Sequence, residues 1–342
     1  MKVAVYYNNK DIRTEDRLVP KIGRGELLVK VHASGICGSD VMEWYRIKKA
    51  PLVLGHEIGA EIIAVGAGVK GFKKGHRVFV THHVPCNKCG YCRTGKHTIC
   101  NTLKTTNFHP GGFSQFLRVP AINVTNGTLK LPKTMSYEEA TFIEPLACVI
   151  RGFNAAEFKK GKSVCILGCG ISGALHVALA KAYGASNIVA GDITASRMRI
   201  AKKFGAKHVF NVSRRSAEAI KKLNHGKLFD HVFVCAGAQK AFSDAYEYAA
   251  PGGTVMLFAP PAPGRKLVFD GFDLWHSQVK TVSTYAASLE DNAQALKLIA
   301  LKKVPVRRMI THRLPIDRAK KGFELVAQAK NSLKVIILPH KA

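Results

Sequence analysis

The stretch SVCILGCGISGALHVALAKAYGASNIVAGD, residues 163–192, decides the fold. Four apolar residues, Val164 to Leu167, run directly into Gly168-Cys169-Gly170-Ile171-Ser172-Gly173. A GxGxxG that follows a strand and opens an amphipathic helix lets the backbone approach a pyrophosphate, which then sits at the positive end of the helix dipole. Asp192 closes the next strand 19 residues after Gly173. A carboxylate there accepts hydrogen bonds from the ribose hydroxyls and repels a 2′-phosphate, so NAD is favoured over NADP. Arg197, five residues further on, complicates that preference. The rival reading is a glycine turn that binds nothing; the strand, helix, strand and acid in register argue against it.

Outward from this stretch the pattern continues in one direction and changes in the other. Downstream, apolar runs at 209–211, 231–236, 254–259 and 281–284 join those at 163–167 and 187–192, with helical periodicity at 172–183 and 194–204. Strands alternating with helices build a doubly wound parallel sheet. Upstream of Pro145 the runs at 3–7, 26–33, 60–65 and 77–81 are short, rich in β-branched residues and separated by glycine turns, which fits a β-barrel. After residue 285 come a helix at 289–300 and a strand at 334–338. The expected organisation is an α/β protein: a β domain over 1–145, a dinucleotide-binding domain over 146–285, and a return to the first domain over 286–342.

Composition narrows the function classes. Hydrophobic residues make up 47% of 342, ample for two cores. No apolar run approaches the roughly 20 residues that a bilayer requires, and the first residues lack the features of a signal peptide. The cytosol is the expected compartment. The net charge of +29 raises nucleic-acid binding as a possibility. Lysines and arginines are nevertheless spread in pairs along the chain, so a solvated basic surface is expected, with no specific nucleic acid and no membrane as partner.

Two sets of residues suggest metal. Cys86, Cys89, Cys92 and Cys100 have the spacing of four thiolates wrapping a tetrahedral structural Zn²⁺ over a lobe at about 82–101. An iron–sulfur cluster or spare thiols are the alternatives; His82, His83 and His97 nearby could compete as ligands but read as surface residues. The second set is dispersed: Cys37 in GICGSD, His56 and Glu57 in GHE, and Glu144 in the apolar FIEPLA. A catalytic zinc takes three protein ligands and keeps one position open. Alone, a cysteine and a His–Glu pair would be packing residues, and a Glu in an apolar run could be neutralised by a basic side chain instead.

CGSD, GHE, the cysteine lobe, EPLAC and GCGISG together resemble the zinc-containing medium-chain alcohol dehydrogenases, over about residues 29–339 and in the family's order and spacing. The resemblance is to the polyol branch, with sorbitol, threonine and cyclitol dehydrogenases. It implies a GroES-like β-barrel catalytic domain and a Rossmann domain, with the active site in the cleft between them. It also implies catalytic zinc on Cys37, His56 and Glu144, with Glu57 able to coordinate or exchange with water. Zinc would acidify the hydroxyl of a secondary alcohol, and hydride would pass to C4 of the nicotinamide, giving a ketone. Ser39 matches the start of the family's proton relay. Gly168, Gly170, Ile171, Ser172, Gly173, Asp192, Arg197, Ala236, Phe258, Ala259 and Tyr285 match cofactor-binding positions. Cys148, a helical turn beyond Glu144, reads as packing. The family implies a homodimer or homotetramer.

Three positions depart from the pattern. Met42 stands where many relatives carry a relay histidine. Glu43 replaces an aromatic residue of the sorbitol enzymes, and His76 replaces the Asp of a GDRV turn. In EWYRIKK, residues 43–49, Trp44 and Tyr45 offer apolar walls, while Arg46, Lys48 and Lys49 could attract an anionic substrate. A primary alcohol dehydrogenase and a zinc-less quinone reductase remain alternatives.

Overall fold

The computed structural model describes residues 1–214 and 216–341. Its contacts divide the chain into Cys148–Tyr285 and a second unit made of Met1–Ala147 with Ala286–Ala342. The break falls inside the helix Ile143–Ala155, two residues beyond the boundary read from the sequence.

The unit Cys148–Tyr285 is built on six parallel strands. Their spatial order is His208–Asn211, Asn187–Asp192, Ser163–Leu167, Phe229–Val234, Ala249–Leu257 and Lys280–Ser283. Ser163–Leu167 and Asn187–Asp192 are buried at every position. Strands covered on both faces read as continuous apolar runs, which is why they were visible in the sequence. Strand order reverses between Ser163–Leu167 and Phe229–Val234, and ligands of such sheets bind where the carboxyl ends diverge at that reversal. The helix Ile171–Ala182 starts there and buries eight residues in succession, Gly173 to Ala180. Leu167, Val189, Phe210, Phe242 and Tyr248 form the core of this unit.

The other unit is mostly antiparallel. Leu27–Gly35 pairs with Glu57–Val65 over most of its length, and also with Phe116–Val119. Two register shifts interrupt the first pairing, and such bulges bend a strand and sharpen its twist. The sheet continues through Arg77–Val80 to Thr128–Lys130 on one side. On the other, the strand Lys334–Leu338 comes back from the far end of the chain and lies against Ser34 and Gly35. Leu27, Val29, Val31, Ile58 and Ile62 supply the inward face. The register sets Gly35 opposite both Glu57 and Ile336, and so fixes what surrounds the next residues of the chain. Among the described residues no helix is long and apolar enough to cross a membrane.

Candidate active site and metal centres

Cys37 lies two residues beyond the end of the strand Leu27–Gly35, and Glu57 begins the strand paired with it. That register brings Cys37, His56 and Glu57 together, with one donor atom from each inside 4.8 Å of the others. Behind them lies Asp40, fully buried. It accepts a hydrogen bond from the Cys37 amide at 3.0 Å through Oδ2, and its Oδ1 lies 3.5 Å from His56 Nδ1. A carboxylate behind a ligating imidazole fixes the ring's orientation and raises its basicity. The Ser39 amide points at Cys37 Sγ from 3.5 Å. Burial pushes the His56 imidazole down, but Asp40 and Cys37 outweigh it and hold it well above the usual range. Burial pushes Asp40 up, and the charges of His56 and Arg46 with the Cys37 amide bring it below the usual carboxylate range. A soft thiolate and a basic imidazole held this close form a donor set for a borderline divalent cation, whose binding displaces the proton.

Glu57 has a second commitment. Its Oε2 pairs with Lys334 Nζ, and both side chains are 1% exposed. The ammonium also reaches the Ile36 carbonyl at 3.5 Å and lies 5.5 Å from the centre of the Phe142 ring. Gly35 makes room for the pair, since a Cβ there would lie 2.7 Å from Lys334 Cε. Glu144 is buried in the first turn of the helix Ile143–Ala155, outside the close group of Cys37, His56 and Glu57. Cys148 lies one turn along the same helix.

Two features were misread or missed in the sequence. His82 and His83 are half-buried rather than exposed: their ring centroids lie 3.8 Å apart with the planes tilted by 32°, and the His82 ring lies 4.8 Å from that of His56. Burial, then the neighbouring positive charges, lowers the pKa of both. They follow the strand Arg77–Val80, and the chain beyond it brings the His82 ring against that of His56. Lys334 read only as the start of an apolar strand; its partner lies 277 residues away, and nothing local marks it.

The four lobe cysteines form the second group of close donors. Cys89 and Cys92 Sγ are 3.5 Å apart, Cys86 and Cys100 3.7 Å, and Cys86 and Cys92 4.0 Å. The Cys89 amide points at Cys86 Sγ and the Cys86 amide at Cys100 Sγ, the placement that stabilises thiolates. Burial raises Cys100, yet the amides of Cys86 and Leu103 and the thiols of Cys86 and Cys92 bring it down to about 6. Leu103 is the one buried apolar residue other than cysteine in this cluster. Such a lobe lacks a core sufficient to order itself, and a tetrahedral thiolate site supplies the order.

In the unit Cys148–Tyr285, Gly168 adopts φ +100°, and a Cβ there would lie 2.9 Å from Ala236 Cβ. Gly170 caps the helix that Ile171 and Ser172 begin. Asp192 Oδ2 accepts from the Cys169 amide at 2.8 Å, and Oδ1 from the Thr194 amide at 2.9 Å. The acid thus holds the glycine turn in place. A Cβ on Gly170 would lie 3.8 Å from Arg197 Nη1, so this guanidinium stands beside the turn. The amides of Phe258 and Ala259 both donate to the Val234 carbonyl, at 3.1 and 2.9 Å, at the carboxyl end of its strand. Tyr285 is 45% exposed at the last position of the unit.

Residues 23–133 match the model of the alcohol dehydrogenase GroES-like domain, and 173–301 match that of zinc-binding dehydrogenases. The sorbitol dehydrogenase of Bacillus subtilis is 31% identical over 100% of this chain and 98% of its own. The L-threonine 3-dehydrogenase of Pyrococcus abyssi is 32% identical over 94% of this chain and 93% of its own. Among solved structures, a protein described as a short chain alcohol dehydrogenase (rspB) from E. coli CFT073, complexed with NADH, superposes with a TM-score of 0.89. It is 25% identical, with 99% of each chain covered.

Proposed function

Since the chain belongs to the zinc-binding alcohol dehydrogenase family, we propose that it oxidises a secondary alcohol of polyol, sugar or cyclitol type to a ketone with NAD, or runs the reverse reduction. The observation that carries this reading is the close group of Cys37, His56 and Glu57 backed by Asp40. Zinc held there supplies a Lewis acid for the alcohol oxygen, and the nicotinamide supplies the hydride acceptor. We assign Cys37 and His56 as fixed ligands and Glu144 as the third, with Glu57 restrained by Lys334. Ser39 Oγ accepts a hydrogen bond from Arg46 Nη2 at 2.9 Å, which orients the hydroxyl that takes the substrate proton. The thioether of Met42 carries no exchangeable proton, so the route outward from Ser39 bypasses that position. NAD is preferred because Asp192 would face a 2′-phosphate with like charge.

Reduced-nicotinamide absorbance over a panel of polyols, cyclitols, L-threonine and primary alcohols, each with NAD and NADP, tests the reading. Ketone formation with NAD that disappears in Cys37→Ser supports it; turnover unchanged in that variant refutes it. Zinc analysis separates the acids: Glu144→Ala should lose one zinc per chain, and Glu57→Gln should keep it.

We also propose a homodimer formed through the edge of the parallel sheet. The outermost strand Lys280–Ser283 is largely exposed, and Phe272 and Trp275 in the preceding helix Gly271–Ser277 are 66% and 73% exposed. Trp275→Glu should shift the mass measured by light scattering to that of a monomer. The four clustered thiols favour a reducing compartment, and we place the protein in the cytosol. The excess of basic residues predicts only salt-labile adhesion to polyanions, to be checked by gel shift at physiological ionic strength.

A further inference from the structure

The surroundings of Cys37 and His56 are rich in cations and imidazoles. Arg46, the last residue of the helix Glu43–Arg46, folds back over residues 39 and 40. Its Nε donates to the Ser39 carbonyl at 3.0 Å, and its Nη2 to Ser39 Oγ at 2.9 Å and, at the limit of a contact, to Asp40 Oδ1 at 3.5 Å. These bonds occupy one edge of the guanidinium fork. Nη1 makes none among the described residues. The side chain is 16% exposed, and the ring of Tyr45 covers it at 4.7 Å. The His82 ring lies against those of His56 and His83 in tilted contacts, and Nδ1 of His82 is buried with no hydrogen-bond partner.

The nearby buried carboxylate, Asp40, is shared by the Cys37 amide, His56 and Arg46. The ion pair with Asp40 is long, at 3.5 Å, and the Nη1 edge of the guanidinium carries no bond among the described residues; an uncharged polyol brings no charge to that edge. An oxyanion does, through a charge-assisted bond to the remaining edge of the fork. We propose that the alcohol oxidised at this site carries an oxyanion, a carboxylate or a phosphate monoester, and that Arg46 selects for it. His82 and His83 add donors, and Lys49, exposed at the end of the segment 47–49, adds long-range attraction. This rests on the dehydrogenase reading above and names the substrate class for it.

The test uses the full-length, zinc-loaded enzyme and the ratio of kcat/KM for an anionic alcohol to that for its neutral parent. Sorbitol, its 6-phosphate and gluconate serve as the set, and Arg46→Gln and Lys49→Ala as the variants. One anionic compound should exceed the polyol by roughly tenfold or more at low salt, and which one distinguishes phosphate from carboxylate. The ratio should collapse in Arg46→Gln, return in part in Arg46→Lys, and fall with ionic strength in the wild type. A purely structural role for Arg46 would lower all three substrates together and leave the ratio unchanged, and that result overturns the proposal. Binding is read separately, by titrating inorganic phosphate and acetate against Trp44 fluorescence in a Trp275→Phe background. Saturable quenching by either anion that is lost with Arg46→Gln supports the proposal even if no alcohol in the panel is oxidised, in which case the dehydrogenase reading alone fails. Oxidation of neutral polyols with no anion binding removes this inference and leaves that reading standing.

Discussion

Lys334→Met removes one ammonium and leaves the Glu57 carboxylate enclosed. Both side chains are 1% exposed, so water does not replace the lost partner. The Ile36 carbonyl also loses its contact with the ammonium, and Phe142 loses a cation near its face. Breaking a buried pair by deleting one member costs about 3–5 kcal/mol, because the remaining charge stays desolvated. For a cooperative unit of this size, each kcal/mol moves the midpoint by roughly 2–4 °C. The thermal transition of the unit holding Lys334 should therefore fall by about 6–20 °C. Scanning calorimetry on the wild type, Lys334→Met, Glu57→Leu and the double variant measures the coupling directly. Zinc content is determined for each, so that loss of metal is not mistaken for loss of the pair. The double variant should recover much of what either single change loses, with a coupling energy of about 2 kcal/mol or more. Strict additivity, or a midpoint for Lys334→Met within about 2 °C of the wild type, would refute the reasoning.

Other outcomes follow from the same geometry. Wild-type protein should carry two zinc ions per chain; Cys37→Ser should retain one and lose turnover. Cys92→Ser should also retain one, with new proteolytic cleavage inside 86–105, because Leu103 gives the lobe little other support. Gly168→Ala should raise KM for NAD by roughly tenfold, since φ +100° and the contact with Ala236 both oppose a Cβ; an unchanged KM would show that the turn is not at the cofactor. Asp230, partly buried, has its burial penalty outweighed by Lys162 and Ser163, which bring its pKa to about 2. A depressed carboxylate stabilises the fold above its unfolded pKa of about 3.9 and loses that contribution as pH falls toward 2. Asp230→Asn should thus cost about 1 kcal/mol at pH 7, discounted for partial exposure, and the difference should close in urea titrations as pH drops from 4 to 2.

The sequence was most legible where one physical requirement governs a continuous run. The buried parallel strands and the glycine turn of residues 163–192 could be recognised because every residue there obeys the same constraint. Ser163–Leu167 and Asn187–Asp192 were placed to the residue. Short elements without a long apolar face were not anticipated, such as Ala217–Lys222, capped by Ser216, and the exposed Gly271–Ser277. In the metal group, Cys37, His56 and Glu57 stood out by residue type. Lys334 did not, because its role comes from a strand pairing that joins distant parts of the chain. His82 and His83 were misjudged since polarity and proximity to cysteines say nothing about which way a loop turns. Asp40 lies inside the CGSD motif, and a carboxylate three residues from a candidate ligand is itself a signal of a partner for that site.

The return of Lys334–Leu338 to the strand Leu27–Gly35 has a consequence for biosynthesis. A ribosome releases the segment carrying Cys37 and His56 long before it releases the residues that flank them in the finished protein. Synthesis at about 5–20 residues per second leaves an interval of roughly ten seconds or more. Throughout it, Glu57 waits without its counter-ion, while Cys148–Tyr285 emerges whole and can fold on its own contacts. Truncated nascent chains ending before Lys334 should therefore hold an ordered nucleotide-binding unit and an unfinished metal-binding one.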